Sequence, residues 1–171
     1  LWPYLDSFSD QAVQHIRQVG RVPDLIHGHY ADAGYVGGQI SRLLGVPFVF
    51  TGHSLGQIKR LRLREKGMKD GDIEKRYNIC RRIDAEEFAL DTAVRVIAST
   101  SQEIEEQYEL YDHYQPEQMR VVPPGTKLNQ FMLPTAKELD LQLFDDITRH
   151  LKEPDKPIIL ALSRPDKRKN I

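Results

Sequence analysis

Cysteine is nearly absent from this sequence, since Cys80 is the single cysteine among 171 residues. One cysteine excludes an internal disulfide and a zinc site built from cysteines, and it fits a reducing, cytoplasmic location. An excess of either charge is also lacking, because 24 Lys and Arg stand against 25 Asp and Glu, for a formal net charge of −1. We therefore expect neither nucleic acid nor a membrane as a partner, and any bound anion must be held by a local group of cations.

The residues that are present describe a globular domain with alternating elements. Hydrophobic side chains make up 40% of the chain and charged ones 29%, which is enough for one substantial core. Short apolar, β-branched runs predict strands at 24–27, 47–51, 94–99, 119–122 and 158–162. Helical patterns lie between them, near 7–19, 34–44, 72–91, 101–110 and 139–151. This alternation predicts an α/β fold with a Rossmann-like, doubly wound, mostly parallel sheet.

Glycine-rich and polar segments follow each predicted strand. They are 27–34, 51–56, 99–101, 123–125 and the basic stretch 164–169. Ligands bind along the carboxyl edge of open α/β sheets, where strands end and helices begin. Glycines and polar residues also mark ordinary turns, and for one loop alone that interpretation is the simpler one. Five such segments at one edge together predict a binding site.

The predicted helix that begins near Asp72 carries charges on its apolar face. Arg82 and Glu86 fall on the stripe formed by Ile79 and Ile83. Charges there are costly unless they are paired or bind a ligand, although a solvated pair at the edge of the stripe is an alternative. With Lys59 and Arg81, Arg82 could complete a cationic pocket for a phosphorylated sugar.

Three other motifs are weaker. The segment 33–38 resembles a dinucleotide-binding turn but lacks the apolar strand that must precede it. His27 and His29 point to the same side of an extended chain, yet no third ligand accompanies them, so we predict no metal site. His53 and Ser54 do not form a nucleophile elbow.

Six segments together resemble the sucrose-phosphate synthases, a family of retaining glycosyltransferases in which two Rossmann-like domains face each other (the GT-B fold). They are 27–34, 51–56, 81–87, 99–103, 122–125 and 163–170. The resemblance runs from about Pro23 to the end of the chain and is most specific in the first two segments. It implies the acceptor-side part of a GT-B N-terminal domain, followed by the start of a second domain.

The resemblance implies transfer of glucose from UDP-glucose to fructose 6-phosphate, giving sucrose 6-phosphate and UDP with retention. By position, His53 corresponds to the cleft histidine beside the donor sugar and the acceptor hydroxyl. Lys59, Arg81 and Arg82 correspond to the clamp for the acceptor phosphate.

Arg164 and Lys169 correspond to the two cations that neutralise the UDP diphosphate. No metal ligands and no required cofactor are implied, with Mg²⁺ as a stimulating ion at most.

The same resemblance divides the chain into part of the acceptor-side domain at 1–130, a linker at 131–157, and the first strand and loop of the nucleotide-sugar domain at 158–171. We expect a segment of a longer enzyme that does not turn over by itself. A sucrose synthase or another retaining sugar transferase is one alternative, and a noncatalytic module that binds sugar phosphates is another.

Overall fold

The structure is a computed structural model, and it describes residues 2–130, 132, 142–153, 156–157 and 163. It divides into two compact units, Leu1–Gly125 and Thr126–Ile171. The first unit contains a four-stranded sheet with the strand order β1-β2-β3-β4, in which every pairing is parallel. The α/β class with a parallel sheet is therefore confirmed.

The strands are β1 (Ile26–His29), β2 (Phe48–Thr51), β3 (Arg95–Ala98) and β4 (Met119–Val121). Three of them lie within the predicted runs, but β1 begins two residues later than predicted. Its register pairs Ile26 with Phe48 and His29 with Thr51, and Ile26 N donates to Pro47 O at 3.0 Å. The segment 27–34 was predicted to follow a strand, whereas His27 and His29 lie within β1 itself. Pairing with β2 determines where β1 begins and ends, and the local hydrophobic pattern does not indicate these positions.

The helices of the first unit are α1 (Leu5–Val19), α2 (Tyr30–Leu44), α3 (Gly56–Glu65), α4 (Asp70–Tyr77), α5 (Ile79–Thr92) and α6 (Ser101–Glu106). The single helix predicted over 72–91 was wrong, because Asn78 adopts a left-handed conformation with φ 49° and separates α4 from α5. Asn tolerates this conformation better than most residues, so it can turn the chain between two helices. The helix predicted over 101–110 ends at Glu106, and a 3-10 turn, Tyr108–Leu110, follows it.

Helix α2 lies close to the sheet because its inner positions have no side chain. An added Cβ at Gly34 would come within 2.5 Å of Phe50, and one at Gly37 within 2.7 Å of Phe48. Both phenylalanines are fully buried in the main core. Gly34 and Gly37, two of the glycines that resemble a nucleotide-binding turn, therefore serve helix-to-sheet packing, whereas Gly38 faces Phe88 of α5.

A second, smaller core joins α1 to α2. Leu5 and Val13 of α1 pack with Val36 and Ile40 of α2. Within the part of the chain that the structure describes, no helix is long and apolar enough to cross a membrane.

The second unit contains one described α-helix, α7 (Gln142–Thr148), which lies inside the helix predicted over 139–151, and a 3-10 turn, Leu128–Gln130. The strand predicted at 158–162 lies outside the described residues, as do Arg164 and Lys169. The proposed boundaries of the domains and the linker stay predictions.

Candidate functional site

The loop 52–55 connects β2 to α3 at the carboxyl edge of the sheet, and distant tyrosines hold the start of the loop and the first turn of α3. Gly52 N donates to Tyr108 Oη at 3.0 Å, and Gln57 N donates to Tyr111 Oη at 3.2 Å. Both tyrosines are buried, and burial raises the pKa of each phenol well above its usual value. They therefore stay protonated at neutral pH and act as neutral supports for the loop backbone.

Three histidines lie side by side at this edge. His27 Nε2 is 2.8 Å from Thr51 Oγ1, and His29 Nδ1 is 2.8 Å from His53 Nε2. The ring centroids are 4.1 Å apart for His27 and His29, and 5.1 Å apart for His29 and His53. Desolvation lowers the pKa of His27, and the two other imidazoles lower it further. In the described segments, no group of His, Cys, Asp or Glu is arranged to bind a metal ion.

His53 and Tyr30 both adopt strained backbone conformations. Their φ angles are 56° and 67°, in the left-handed region that non-glycine residues seldom occupy. The two rings contact each other with centroids 4.7 Å apart. Such strain persists only where the surroundings over-determine the conformation, and it is concentrated at functional sites.

A cleft of about 390 Å³ opens beside this pair of rings and contains two of the predicted cations. Its lining residues are Trp2, Tyr30, Ala31, Asp32, Lys59, Tyr77 and Arg82. Lys59 Nζ lies 4.1 Å from the centroid of the Tyr77 ring. Desolvation lowers the pKa of Lys59, and the nearby charge of Arg82 adds to the effect. Two cations that share one cleft and repel each other provide a site for an anion.

Arg82 is held in place from two directions. Its Nε donates to Glu86 Oε1 at 3.0 Å, and its Nη2 donates to the carbonyl of Ser54. Glu86 is fully buried and also accepts hydrogen bonds from Gly56 N, at 2.8 Å, and from Tyr111 Oη. Burial raises the pKa of Glu86, although its hydrogen bonds and Arg82 act in the opposite direction. The solvated-pair alternative for Arg82 and Glu86 therefore does not apply.

Arg81 points into a neighbouring cleft of about 200 Å³, which Trp2, Tyr35 and Asp84 also line. Its guanidinium carbon lies 6.0 Å from the centroid of the Trp2 ring. Trp2 lines both clefts, whereas Arg81 lines only the smaller one and Lys59 and Arg82 only the larger one. The structure thus brings two of the three predicted clamp residues together and gives the third a different neighbourhood.

Sequence reasoning missed the residues that support the site from a distance. Tyr108 and Tyr111 lie in and after a 3-10 turn with no motif around them, and Trp2 and Tyr77 fall in no pattern that would indicate a cleft. Glu86 was the one supporting residue with a signal in the sequence, since its place on the apolar stripe of the predicted helix indicated a buried position. The donor-side residues Arg164 and Lys169 lie outside the described part of the chain.

The fold and this edge define a Rossmann-like α/β domain, a class in which ligands bind where parallel strands end. A sequence model of the family described as "Sucrose synthase first GT-B domain" matches residues 1–131. The chain belongs to this family.

The relatives include a probable sucrose-phosphate synthase 2 of Arabidopsis thaliana, which is 37% identical over 213 residues and aligned to 100% of this chain and 20% of its own length. A sucrose-phosphate synthase of Zea mays is 40% identical over 224 residues, which span 100% of this chain and 21% of that protein. The chain therefore spans about a fifth of the length of these relatives.

Among solved structures, a sucrose-phosphate synthase from Thermosynechococcus elongatus superposes with a TM-score of 0.60 and 26% sequence identity. The match covers 82% of this chain and 33% of that protein. It agrees with the N-terminal GT-B assignment of the parallel sheet.

Proposed function

We propose that this chain is the acceptor-side part of a retaining glycosyltransferase that moves glucose from UDP-glucose to fructose 6-phosphate. The products would be sucrose 6-phosphate and UDP. The observation that carries the proposal is the shared cleft of Lys59 and Arg82, which opens next to His53. The relatives from Arabidopsis thaliana and Zea mays are named for sucrose-phosphate synthesis, which supports the same reaction.

The cleft suits a phosphate because its two cations differ in chemistry. Arg82 keeps a fixed guanidinium orientation through Glu86 and the Ser54 carbonyl, so it can direct hydrogen bonds at a phosphate oxygen. Lys59 has a flexible ammonium group and would contribute charge more than direction. The aromatic side chains of Trp2 and Tyr77 also line the cleft and offer apolar faces to a sugar ring.

His53 would lie between the acceptor and the donor sugar. In the transfer, the bond from C1 of glucose to the diphosphate oxygen breaks, and the fructose hydroxyl oxygen bonds to C1. The hydroxyl proton passes to the departing diphosphate oxygen as the new bond forms, and the electrons of the broken bond leave with UDP. Negative charge grows on the diphosphate, and we assign its stabilisation to Arg164 and Lys169. Cations in these positions would act most strongly in the transition state, so the proposal requires no cofactor.

A sucrose synthase is the second candidate, because the matching family is described by that name. Its acceptor would be free fructose, which needs no phosphate clamp. A comparison of the two acceptors separates the candidates. It is made with a polypeptide that contains this chain and has the full length of the relatives, here called the extended polypeptide.

We expect the extended polypeptide to use fructose 6-phosphate far better than fructose, measured as kcat/KM from UDP release. A preference for free fructose would assign the site to the second candidate. Binding of fructose 6-phosphate with no UDP release under any condition would leave only a noncatalytic sugar-phosphate-binding module.

Arg82→Ala tests the clamp directly. The variant should weaken the use of fructose 6-phosphate by roughly 1.5 to 3 kcal/mol in kcat/KM, the size of one lost charge-assisted contact. Arg64→Ala is the matched control, because Arg64 forms an exposed ion pair with Asp70 on the surface. If kcat/KM for fructose 6-phosphate is the same in both variants, the clamp lies elsewhere.

A further inference from the structure

Glu86 is a fully buried carboxylate that touches none of the substrates in the proposed reaction. It lies on α5 and accepts hydrogen bonds from α3, from the residue after the 3-10 turn and from Arg82 of its own helix. Oε2 accepts from Gly56 N at 2.8 Å and from Tyr111 Oη, and Oε1 accepts from Arg82 Nε at 3.0 Å. Each oxygen therefore faces at least one donor.

Stability alone is a poor reason for a carboxylate in this place. Removing a charge from water costs several kcal/mol, and apolar residues of similar size often stabilise a core as well as a buried ion pair does. The contacts of Glu86 instead meet the parts of the candidate site. Gly56 is the first residue of α3, which carries Lys59 one turn later, and Arg82 bonds in turn to the carbonyl of Ser54.

We infer that Glu86 is a positioning residue that fixes the Arg82 guanidinium, the start of α3 and the turn at His53 relative to one another. The inference rests on the proposed function for its consequence, which is the alignment of the acceptor phosphate. Glu86 itself is fully buried and does not line the cleft.

This role needs the charge and both oxygens of Glu86, because the carboxylate is the acceptor in every one of these hydrogen bonds. In Glu86→Gln one oxygen becomes an NH₂ group, which must face a donor. If the amide nitrogen faces Arg82 Nε, the guanidinium loses its anchor. If it faces Gly56 N, the first turn of α3 moves and carries Lys59 with it. In either orientation the geometry of the acceptor site changes although the side-chain shape is kept.

The test measures steady-state kinetics of the extended polypeptide with Glu86→Gln. We expect the KM for fructose 6-phosphate to rise roughly ten- to hundredfold, while the KM for UDP-glucose stays within about twofold. Glu87→Gln is the control, because Glu87 is the next carboxylate on α5 and binds the backbone N–H groups of Asp112 and His113 instead. It should leave both KM values unchanged.

An equal rise in both KM values, or no rise in either, would overturn the inference, because a purely structural role does not select the acceptor. The kinetics of the extended polypeptide without a substitution distinguish this result from a failure of the proposed function. If it transfers glucose to fructose 6-phosphate and Glu86→Gln keeps the acceptor KM, only the inference fails.

A second measurement covers the case in which Glu86→Gln does not fold or the extended polypeptide does not transfer glucose. In the unaltered 171-residue chain, the Arg82 Nε–H proton should exchange slowly with water in ¹⁵N NMR spectra and should shift when inorganic phosphate is added. The Arg64 Nε–H proton, which bonds to the exposed Asp70, is the internal reference. Equal exchange rates at the two arginines would show that Glu86 does not hold Arg82.

Discussion

At the residue scale, the candidate site depends on buried polar side chains that form hydrogen bonds to the backbone of the strained loop 52–55 and of the first turn of α3. Tyr108 accepts a hydrogen bond from Gly52 N, just before His53. After His53, Glu86 accepts one from Gly56 N and Tyr111 accepts one from Gln57 N. Backbone groups that leave regular structure at a buried edge need such partners, since an unpaired buried donor costs about 1–3 kcal/mol. The left-handed conformation of His53 is compatible with this support, because the loop gains hydrogen bonds that offset the strain.

His27 should make stability depend on pH. Its pKa in the folded state is lower than the ordinary 6.5, so the unfolded chain binds a proton at a higher pH than the folded chain does. The free energy of unfolding must then decrease as pH falls through 6.5, and this contribution levels off below the folded-state pKa.

The change His27→Gln should reduce the loss of stability between about pH 7 and pH 5, because Gln keeps a polar contact to Thr51 without titrating. The measurement is urea unfolding of the 171-residue chain at both pH values. His15→Gln, at an exposed position on α1, serves as the control. A pH dependence identical in the wild type and His27→Gln would contradict the pKa shift.

At the element scale, the position of α2 decides where the edge loops lie. Helix α2 begins directly after β1 at Tyr30, so its approach to the sheet sets both Tyr30 and Asp32 at the cleft. The approach depends on glycines that face the buried phenylalanines of β2. A side chain at these positions would lift the helix from the sheet or displace an aromatic ring of the core.

Gly37→Ala should lower the free energy of unfolding by about 1–3 kcal/mol, because its methyl group would lie 2.7 Å from a ring carbon of the fully buried Phe48. Gly71→Ala, in α4, is the matched control, since nothing lies within 4 Å of the added Cβ. It should stabilise the chain by about 0.4–1 kcal/mol through the unfolded state. Equal urea midpoints for the two variants would contradict this account of helix packing.

At the scale of the whole molecule, the described residues provide one side of the proposed reaction. In the proposed function the cleft of Lys59 and Arg82 binds the acceptor phosphate, and Arg164 and Lys169 are the cations proposed for the donor diphosphate. The chain spans about a fifth of the length of its curated relatives. Sugar transfer requires donor and acceptor to be aligned and water to be excluded, which is the work of two domains that close on each other.

We therefore expect the purified 171-residue chain to release no UDP from UDP-glucose, with or without fructose 6-phosphate. The check is a coupled UDP-release assay, with the extended polypeptide as the positive control. Turnover by the short chain that depends on fructose 6-phosphate would refute the requirement for a second domain.

The sequence alone determined the class of fold and most of the elements, because hydrophobic periodicity is a local property. Strands at 48–51, 95–98 and 119–121 fall within predicted runs, and the inward face of Glu86 followed from helical spacing. The glycines 34 and 37 were visible too, but their packing role was not, because it depends on phenylalanines in another element.

Only the tertiary structure decided the start of β1, the break at Asn78 and the assembly of the site. Strand pairing fixes β1, and a single left-handed residue divides the two helices, so neither leaves a periodic signal. Gly52 and Tyr108 are 56 positions apart, and their hydrogen bond exists only when α6 and the following turn pack against the sheet. The position of Arg81 in a different cleft from Lys59 and Arg82 has the same origin, since Trp2, which lines both clefts, is far from these residues in the sequence. Contacts between distant segments depend on the packing of whole elements, and local patterns do not encode them.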